Sequence, residues 1–257
     1  MDNTFPVITV EGGKVDAKRH VEAGTGLSLF GAFFIATIAM LFGILVSYGI
    51  LLIGLLIYPF YAWYLSKRSM ALIHGSGVHV AEKQFPEIHR CVSDFKERLE
   101  IRQDVSVYIV DANVMNAFAV RYGKKNVVLL TNNLIHGCIS SGHPQALAFV
   151  IGHELAHISL NHNGMFRLWL SQHWKKLGRL NEYSADSVAT ALVGDRTIAF
   201  YGLLLLTVGY TLLPHVNPES ILRQAQEVAQ NKYSKKAERT LTHPLLLNRL
   251  HRVLKTG

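Results

Sequence analysis

The sequence predicts an α+β fold that is mainly helical, with an N-terminal transmembrane helical hairpin followed by a domain that contains a small antiparallel or mixed sheet. Three observations indicate this class: a long apolar run near the N-terminus, a short central region rich in β-branched residues, and helical periodicity over most of the remainder. The predicted organisation is an N-terminal segment at 1–26, the hairpin at 27–66 and one folded domain at 67–257.

The predicted hairpin rests on the absence of charged residues from Leu27 to Ser66. This run is about twice the roughly 20 residues that one helical crossing of a bilayer needs. Because Gly49 can adopt a turn conformation, the chain is expected to reverse there, which gives helices at about 27–46 and 50–65. A cleaved signal peptide is the alternative, but the run is too long for the apolar part of such a peptide and starts too late.

Charge and cysteine content narrow the classes of function. Basic residues flank both outer ends of the hairpin and none lies in its turn, so the positive-inside rule predicts that both ends of the hairpin and the domain after it lie in the cytoplasm. A second basic cluster, between Arg223 and Arg239, is interpreted as either a solvated face or a contact with anionic lipid. Nucleic-acid binding is disfavoured because no aromatic-basic motif accompanies the charge of +8. Cys91 and Cys138 are too few and too far apart for a disulfide framework or a thiolate zinc site.

The folded domain is predicted to begin with a helix, continue with three strands and end with further helices. The expected ranges are 84–99 for the first helix, 105–110, 115–122 and 126–130 for the strands, and about 144–160, 169–193 and 219–230 for the later helices. Ser140 or Ser141 is expected to cap the helix that begins near Pro144. The uncharged stretch from Ile198 to Leu213 is short for a third crossing, and we predict that it packs against the domain or lies in the membrane interface.

The segment His153-Glu154-Leu155-Ala156-His157 is an H-E-x-x-H motif within the helix near Pro144. Residues four apart share one helical face, so both imidazoles can reach a single metal ion while Glu154 flanks it. The pattern predicts a zincin-type metallopeptidase domain with His153 and His157 as ligands of one Zn²⁺ per chain. Because the pentapeptide also occurs by chance, the prediction requires a third ligand.

A third ligand is available downstream, where Glu182 and Asp186 lie four apart on a predicted helix. In zinc peptidases whose third ligand is a glutamate, the E-x-x-x-D pattern gives the glutamate to the metal and uses the aspartate to orient a ligand histidine. We predict these two roles, with a solvated helix face as the alternative. His162 is a rival ligand, but Leu160 and Asn163 occupy the positions where metzincins have glycine and histidine. His162 is therefore interpreted as a helix-end or surface residue, with a role at the rim of the site as the alternative.

Three protein ligands would leave the metal an open position for water, whose pKa falls toward ~7 on coordination. Glu154 is the expected catalytic base, which takes the proton of this water and returns it to the leaving amine. The developing oxyanion needs a further donor, for which Tyr183 and His243 are the candidates.

These residues resemble the HtpX and CAAX prenyl protease family of membrane-associated zinc metallopeptidases, in particular its compact bacterial members. The resemblance implies an integral protein of a bacterial inner membrane. The segments that carry the resemblance are Gln84 to Ile88, Asn116 to Ala119, Gly152 to Ile158, Asn181 to Asp186, Thr242 to Pro244, and Asn248 to Leu250. Their order along the chain is that of the family.

The resemblance implies roles for two further sets of residues. It places Asn116, Ala117 and Phe118 on a substrate-binding strand beside the cleft, where an extended peptide can add as another strand. The alternatives are a turn residue at Asn116 and core packing of Phe118. It also places His243 near the metal, either as a catalytic oxyanion stabiliser or as a removable fourth ligand.

The predicted function is zinc-dependent endoproteolysis of membrane or membrane-proximal proteins, with a protein or peptide substrate and the lipid bilayer as partners. A zinc-containing membrane scaffold or chaperone without turnover is the alternative, and the presence of Glu154 favours catalysis over it. A transport module is disfavoured because the apolar segments contain no charged residue to mark a polar pathway. The sequence does not predict an oligomeric state.

Overall fold

The computed structural model describes residues 5–255, which form a mainly helical fold around one four-stranded mixed sheet. The predicted α+β class is therefore confirmed. The α-helices of this region are α1 Thr25–Val46, α2 Ile50–Ser76, α3 Pro86–Arg98, α4 Asn132–Ser140, α5 Ala146–Ser159, α6 Met165–His173, α7 Lys175–Val193, α8 Arg196–Leu212, α9 Pro218–Gln230, α10 Lys232–Glu238 and α11 Leu246–Lys255. The strands are β1 Val78–His79, β2 Val105–Val110, β3 Ala117–Tyr122 and β4 Lys125–Thr131.

Helices α1 and α2 form the predicted hairpin. The chain reverses through Tyr48 and Gly49, whose φ angles of 50° and 85° lie in the left-handed region. Most of the large apolar side chains of both helices are exposed, and both helices are long and apolar enough to cross a membrane. Helix α2 continues to Ser76, beyond the predicted end near residue 65, because the helix outlasts the apolar run that defined the prediction.

The sheet has the strand order β1-β2-β4-β3. Strand β2 pairs with β4 in parallel, and the other two pairings are antiparallel. The three predicted strands are present, while the two-residue β1 was not predicted. Strand β3 is an edge strand that pairs with β4 alone within residues 5–255, so its second side is open to an additional strand.

Helix α5 forms the centre of the domain. All of its residues except His157 and Ser159 are buried, and the helix packs mainly against α7, with α3, α8 and β3 around it. Gly152 permits the closest of these contacts, because a Cβ atom there would lie 3.2 Å from Leu192 Cδ1 and 3.4 Å from the Phe95 ring. Helix α7 can therefore approach α5 directly beside the H-E-x-x-H segment.

Two predictions about the helices are wrong. The serines expected to cap α5 belong instead to the end of α4, a helix that the sequence analysis did not predict, and Gln145 precedes α5 without a side-chain cap. The helix expected at 169–193 is two helices, α6 and α7, separated at Trp174, whose ψ of 80° is not helical. The axis of α6 is therefore not constrained to continue that of α7.

Helix α8 is the third helix whose length and composition would suit a membrane crossing. It packs against α5, α11, α4 and α7, and Phe200, Leu203 and Leu204 are buried there. The helix kinks at Gly209, whose φ of 72° and ψ of 166° are not helical. Packing against the domain, one of the two predicted placements, is therefore the arrangement in the structure.

The segment before α1 packs onto the domain. Ile8 is fully buried, and Arg98 donates hydrogen bonds to the carbonyl oxygens of Val10, Gly13 and Leu192. The backbone N–H of Glu22 donates to the hydroxyl of Ser184 on α7. The start of the hairpin is thus attached to the helix that carries Glu182.

Candidate metal centre and cleft

Helix α5 places the imidazoles of His153 and His157 side by side. Their Nε2 atoms are 3.1 Å apart, as expected for residues one helical turn apart that point to the same face. Glu182 on α7 faces both rings: its Oε2 atom lies 3.7 Å from His153 Nε2, and its Oε1 atom lies 3.4 Å from His157 Nε2. The three predicted ligands are therefore brought together.

The spacing of these atoms fits a tetrahedral metal ion. Nitrogen and oxygen ligands that bind one Zn²⁺ at about 2.0–2.2 Å lie roughly 3.3 Å from one another. Within residues 5–255, His153, His157 and Glu182 are the group of metal-binding side chains whose ligand atoms all lie within 4.8 Å of one another. Burial raises the pKa of Glu182, but the neighbouring His153 and His243 outweigh this and hold the pKa well below the usual value. The set therefore offers a carboxylate and two imidazoles to a cation.

Asp186 lies behind His153. Its Oδ1 atom is 2.9 Å from His153 Nδ1, and both of its oxygens accept hydrogen bonds of 2.7 Å from Arg249 on α11. Burial lowers the pKa of His153, but Asp186 and Glu182 outweigh this effect and raise that pKa to about 10. This geometry is the one expected for a carboxylate that fixes the orientation of a ligand histidine.

His162 lies behind His157. The Nδ1 atoms of the two rings are 3.0 Å apart. His162 follows the end of α5 and lines the cleft, as two of the considered placements have it, but it is 3% exposed, so a surface position is wrong. The chain turns back after α5 at Asn161, which has a φ of 54°, and this turn carries His162 under the motif. Burial lowers the pKa of His162 and lowers that of His157 to about 4. Two neutral imidazoles therefore face each other on this side of the site.

Glu154 lies on α5 beside the ligand cluster and is buried. Burial raises the pKa of its carboxyl group, and the neighbouring His153 and the backbone of Ala119 on β3 oppose this shift. A carboxyl group with a raised pKa is suited to accept and return a proton. Glu154 and Ala119 line the same cavity beside the edge strand.

The cleft runs between strand β3 and the ligand cluster. It is a cavity of about 510 Å³, and its lining includes Asn116, Ala117, Phe118, Glu154 and His243. Phe118 is 44% exposed, so core packing, the alternative considered for this ring, is wrong. The Asn116 carbonyl oxygen accepts hydrogen bonds from Thr131, and its side-chain Oδ1 accepts one from the Ala117 N–H. Asn116 thereby fixes the start of the edge strand at the cleft.

His243 reaches the cleft from the segment before α11. Its Nδ1 atom is 3.2 Å from Glu182 Oε2, and 72% of its side chain is exposed. The interaction with Glu182 raises the pKa of His243. Tyr183, the other candidate donor, points away from the cleft, and its hydroxyl donates a 2.7 Å hydrogen bond to Glu238.

Two contacts of the site, that of Arg249 with Asp186 and that of His162 with His157, were not predicted from the sequence. Arg249 follows Asp186 by 63 positions, and its only signal was its place in the segment from Asn248 to Leu250, which contributes to the family resemblance. His162 was noticed through its closeness to the motif, but the spacing gave no reason to expect burial. Neither contact follows from local periodicity, because both depend on how distant segments pack.

A buried H-E-x-x-H helix that faces a glutamate from a second helix, beside the edge of a small mixed sheet, is the architecture typical of metallopeptidases with two histidines and one glutamate as ligands. Residues 82–173 match the model of peptidase family M48. This match includes His153, Glu154 and His157 and ends before Glu182. No solved structure matches the chain.

Two curated proteins are similar to parts of this chain. The Protease HtpX homolog of Thermodesulfovibrio yellowstonii is 32% identical over 99 residues, which are 38% of this chain and 33% of that protein. Protease HtpX homolog 1 of Streptomyces coelicolor is 26% identical over 144 residues, which are 56% of this chain and 46% of that protein. The matched regions thus span between a third and a half of these relatives. Together the matches support an HtpX-like member of peptidase family M48 and confirm the resemblance that the motifs indicate.

Proposed function

We propose that this chain is a membrane-anchored, zinc-dependent endopeptidase that hydrolyses membrane or membrane-proximal proteins. The observation that carries the proposal is the ligand cluster itself, in which His153, His157 and Glu182 lie at the mutual distances of zinc ligands beside a buried Glu154. Bound Zn²⁺ would supply Lewis acidity, which polarises a peptide carbonyl and acidifies water. The candidate crossings α1 and α2 would hold the domain at the bilayer.

In this mechanism Glu154 moves the proton. Its carboxylate takes a proton from the attacking water and returns it to the nitrogen of the leaving amine. The buried position of Glu154, its raised pKa and its place in the same cavity as His153 support this role. His243 is the donor that we assign to the developing oxyanion. This role is favoured over that of a fourth ligand because His243 does not belong to the group of mutually close ligand atoms.

Strand β3 is the surface that we assign to the substrate. An extended peptide can pair with its open edge through main-chain hydrogen bonds, and this edge lines the same cavity as His153 and Glu154. Asn116 and Ala117 would then position the substrate backbone, while the exposed Phe118 ring can contact a substrate side chain. The scissile bond would lie between the strand and the ligand cluster.

Glu154→Gln is expected to keep one zinc per chain yet to lose cleavage of casein or of a membrane-protein substrate, because the three ligands remain while proton transfer is lost. The measurements are metal content and cleavage by the purified, membrane-reconstituted chain. Glu219→Gln, an equivalent change at an exposed position on α9, serves as the control and should retain both properties. Chelator-sensitive cleavage by Glu154→Gln at the control rate would exclude this role for Glu154.

We further propose that the domain is cytoplasmic and that the hairpin turn faces the opposite side. Single cysteines at Ser47 and Ser234 test this placement with a reagent that does not cross membranes. Cys91 and Cys138 are fully buried and are replaced by alanine to remove any background. Position 47 alone should be labelled in intact cells, whereas labelling of position 234 would contradict the topology.

A further inference from the structure

Helix α6 exposes apolar side chains, whereas a helix on the surface of a water-soluble domain exposes its polar face. The exposed fractions are 64% for Met165, 53% for Phe166, 44% for Leu168 and 46% for Trp169. The opposite face, which includes Leu170 and Ser171, is turned inward. An amphipathic helix in water has the reverse arrangement, and contiguous exposed apolar residues mark an interaction surface. We call this set of four exposed side chains the α6 apolar face.

The α6 apolar face is continuous with the first candidate crossing. The rings of Phe33 on α1 and Phe166 on α6 make an edge-to-face contact with centroids 5.7 Å apart, and the Phe166 and Trp169 rings are stacked 6.4 Å apart. An open groove of about 600 Å³ separates the two helices, with Phe30 and Met165 among its lining residues. A surface that contacts the lipid-facing side of α1 therefore continues directly onto α6.

The position of Phe33 along the crossing sets the depth of α6. Ser47 at the hairpin turn follows Phe33 by 14 positions, which is roughly 21 Å along a helix. The hydrocarbon core of a bilayer is about 30 Å thick. If the hairpin turn lies at the bilayer surface opposite the domain, Phe33 therefore lies inside the hydrocarbon core, in the half nearer the domain. The Phe166 ring contacts the Phe33 ring at this depth. Tryptophan and phenylalanine are typical of the apolar face of an interfacial helix, which is buried about 5–10 Å into the boundary between headgroups and acyl chains.

Positive charge lies next to the apolar face. Helix α7 begins with Lys175 and Lys176, both exposed, and Arg179 follows one turn later. Lys175 and Arg179 donate hydrogen bonds to carbonyl oxygens at Thr240 and Leu241, which brings the basic region around α10 to the same corner. Clusters of lysine and arginine beside a membrane-inserted segment attract anionic headgroups.

We propose that α6 is a membrane-contact helix, whose apolar face inserts at the headgroup and acyl boundary beside α1 while the lysines at the start of α7 contact anionic lipid headgroups. A bilayer is favoured over a protein partner because the face is continuous with a lipid-exposed crossing and is bordered by positive charge. Helix α6 has nine residues, which is too short to cross a bilayer but long enough to lie in its interface.

The proposal gives the cleft a defined position relative to the bilayer. Leu168 of α6 also lines the catalytic cavity. Arg167 donates hydrogen bonds to the carbonyl oxygen of Leu160, just after α5, and to Asn181, next to Glu182. Membrane contact by α6 would therefore hold the cleft mouth close to the lipid surface. This consequence for substrate access rests on the proposed function, whereas the contact itself does not.

The experiment uses tryptophan fluorescence of the full chain in vesicles of phosphatidylcholine and phosphatidylglycerol that contain brominated lipid. Trp63→Phe and Trp174→Phe together leave Trp169 as the single fluorophore. Bromine close to the headgroup should quench most of its emission, and bromine deep in the acyl chains should quench less. A chain with Trp63 alone, which lies in α2, is the positive control. A chain with Leu222→Trp alone, on the exposed side of α9, should remain unquenched.

Replacement of the half-buried Trp174 can perturb folding, so a second measurement leaves all tryptophans in place. Phe166→Cys carries a nitroxide label, and the buried Cys91 and Cys138 do not compete for it. The label should be more accessible to oxygen, which concentrates in lipid, than to a water-soluble nickel complex. The proposal is overturned if the label at position 166 is as accessible to the nickel complex as a label at position 222. It is also overturned if aqueous iodide quenches Trp169 while brominated lipid quenches Trp63.

The charge component is tested by the double variant Lys175→Gln and Lys176→Gln in the Trp169 chain. Lipid quenching of Trp169 in vesicles with phosphatidylglycerol should fall to the level seen in phosphatidylcholine alone. Unchanged quenching would remove the lysines from the contact. Spontaneous disulfide-linked dimers of Phe166→Cys in dilute vesicles would overturn the lipid assignment in favour of a second copy of the chain. None of these measurements depends on zinc or on proteolysis, so their failure leaves the endopeptidase proposal intact.

Discussion

The two histidines of the H-E-x-x-H motif occupy neighbouring turns of α5 but are supported by opposite kinds of neighbour. His153 Nδ1 lies 2.9 Å from the carboxylate of Asp186, which Arg249 holds with two hydrogen bonds. His157 Nδ1 lies 3.0 Å from the imidazole of a buried His162. The pKa of His153 is raised to about 10 and that of His157 is lowered to about 4. The side chain behind His153 is thus a charged carboxylate, and the side chain behind His157 is a neutral imidazole.

This difference shows how the two sides of the site depend on the rest of the fold. The His153 side joins α5, α7 and α11 through buried charges, so the loss of any one charge leaves another without compensation. The His157 side uses a residue of the turn that directly follows α5, and its contacts are between neutral groups. We expect substitutions of the supporting residues Asp186 and Arg249 to cost more in stability or metal affinity than substitution of His162.

The largest effect is expected from Glu182, which faces both histidines. Glu182→Ala and His157→Ala should each lose zinc completely at purification, because two ligands do not hold the ion against dialysis. Metal content of the purified chain is the measurement, with Glu219→Ala on α9 as the control. Zinc retained at the control level in Glu182→Ala would show that another residue, such as His162 or His243, is the third protein ligand.

The next largest effect is expected at Arg249, whose side chain is 15% exposed. Arg249→Met leaves Asp186 as a buried carboxylate without its cation and should reduce the free energy of unfolding by about 3–5 kcal/mol. Arg252→Met, three residues later on α11, removes a partly exposed ion pair with Glu22 and a cation–π contact with Tyr183 and should cost less, about 1–2 kcal/mol. Denaturant unfolding of both variants measures the difference. Equal losses would mean that the buried charges do not stabilise the His153 side.

The smallest effects are expected from substitutions of Asp186 and His162, the residues behind the two ligand histidines. Asp186→Asn should weaken zinc binding by about 10–100 fold, because the amide cannot replace the charge that orients His153. His162→Gln, which retains a polar neighbour for His157, should weaken it by less than about 10 fold, since a neutral hydrogen bond contributes about 1 kcal/mol. Competition for zinc against a chelator of known affinity gives both values. A larger loss in His162→Gln than in Asp186→Asn would reverse the comparison.

Sequence patterns predicted the parts of this protein that depend on local spacing. The uncharged run and Gly49 located the hairpin turn, the alternation at 105–110 gave the bounds of β2, and the four-residue spacing in the motif placed His153 and His157 on one face of α5. In each case the property that decides the structure, such as period, length or absence of charge, is present within a few turns of chain.

Tertiary structure alone decided which neighbour each histidine received. Asp186 could support either imidazole by spacing, and only the approach of α7 to α5 at Gly152 sets it against His153. Arg249 reaches the site because α11 packs on α7 and α8, and Trp174 breaks the helix expected at 169–193 so that α6 can lie against α1. These outcomes depend on contacts between residues far apart in the chain. Burial and charge pairing are properties of the packed fold, and no local pattern encodes them.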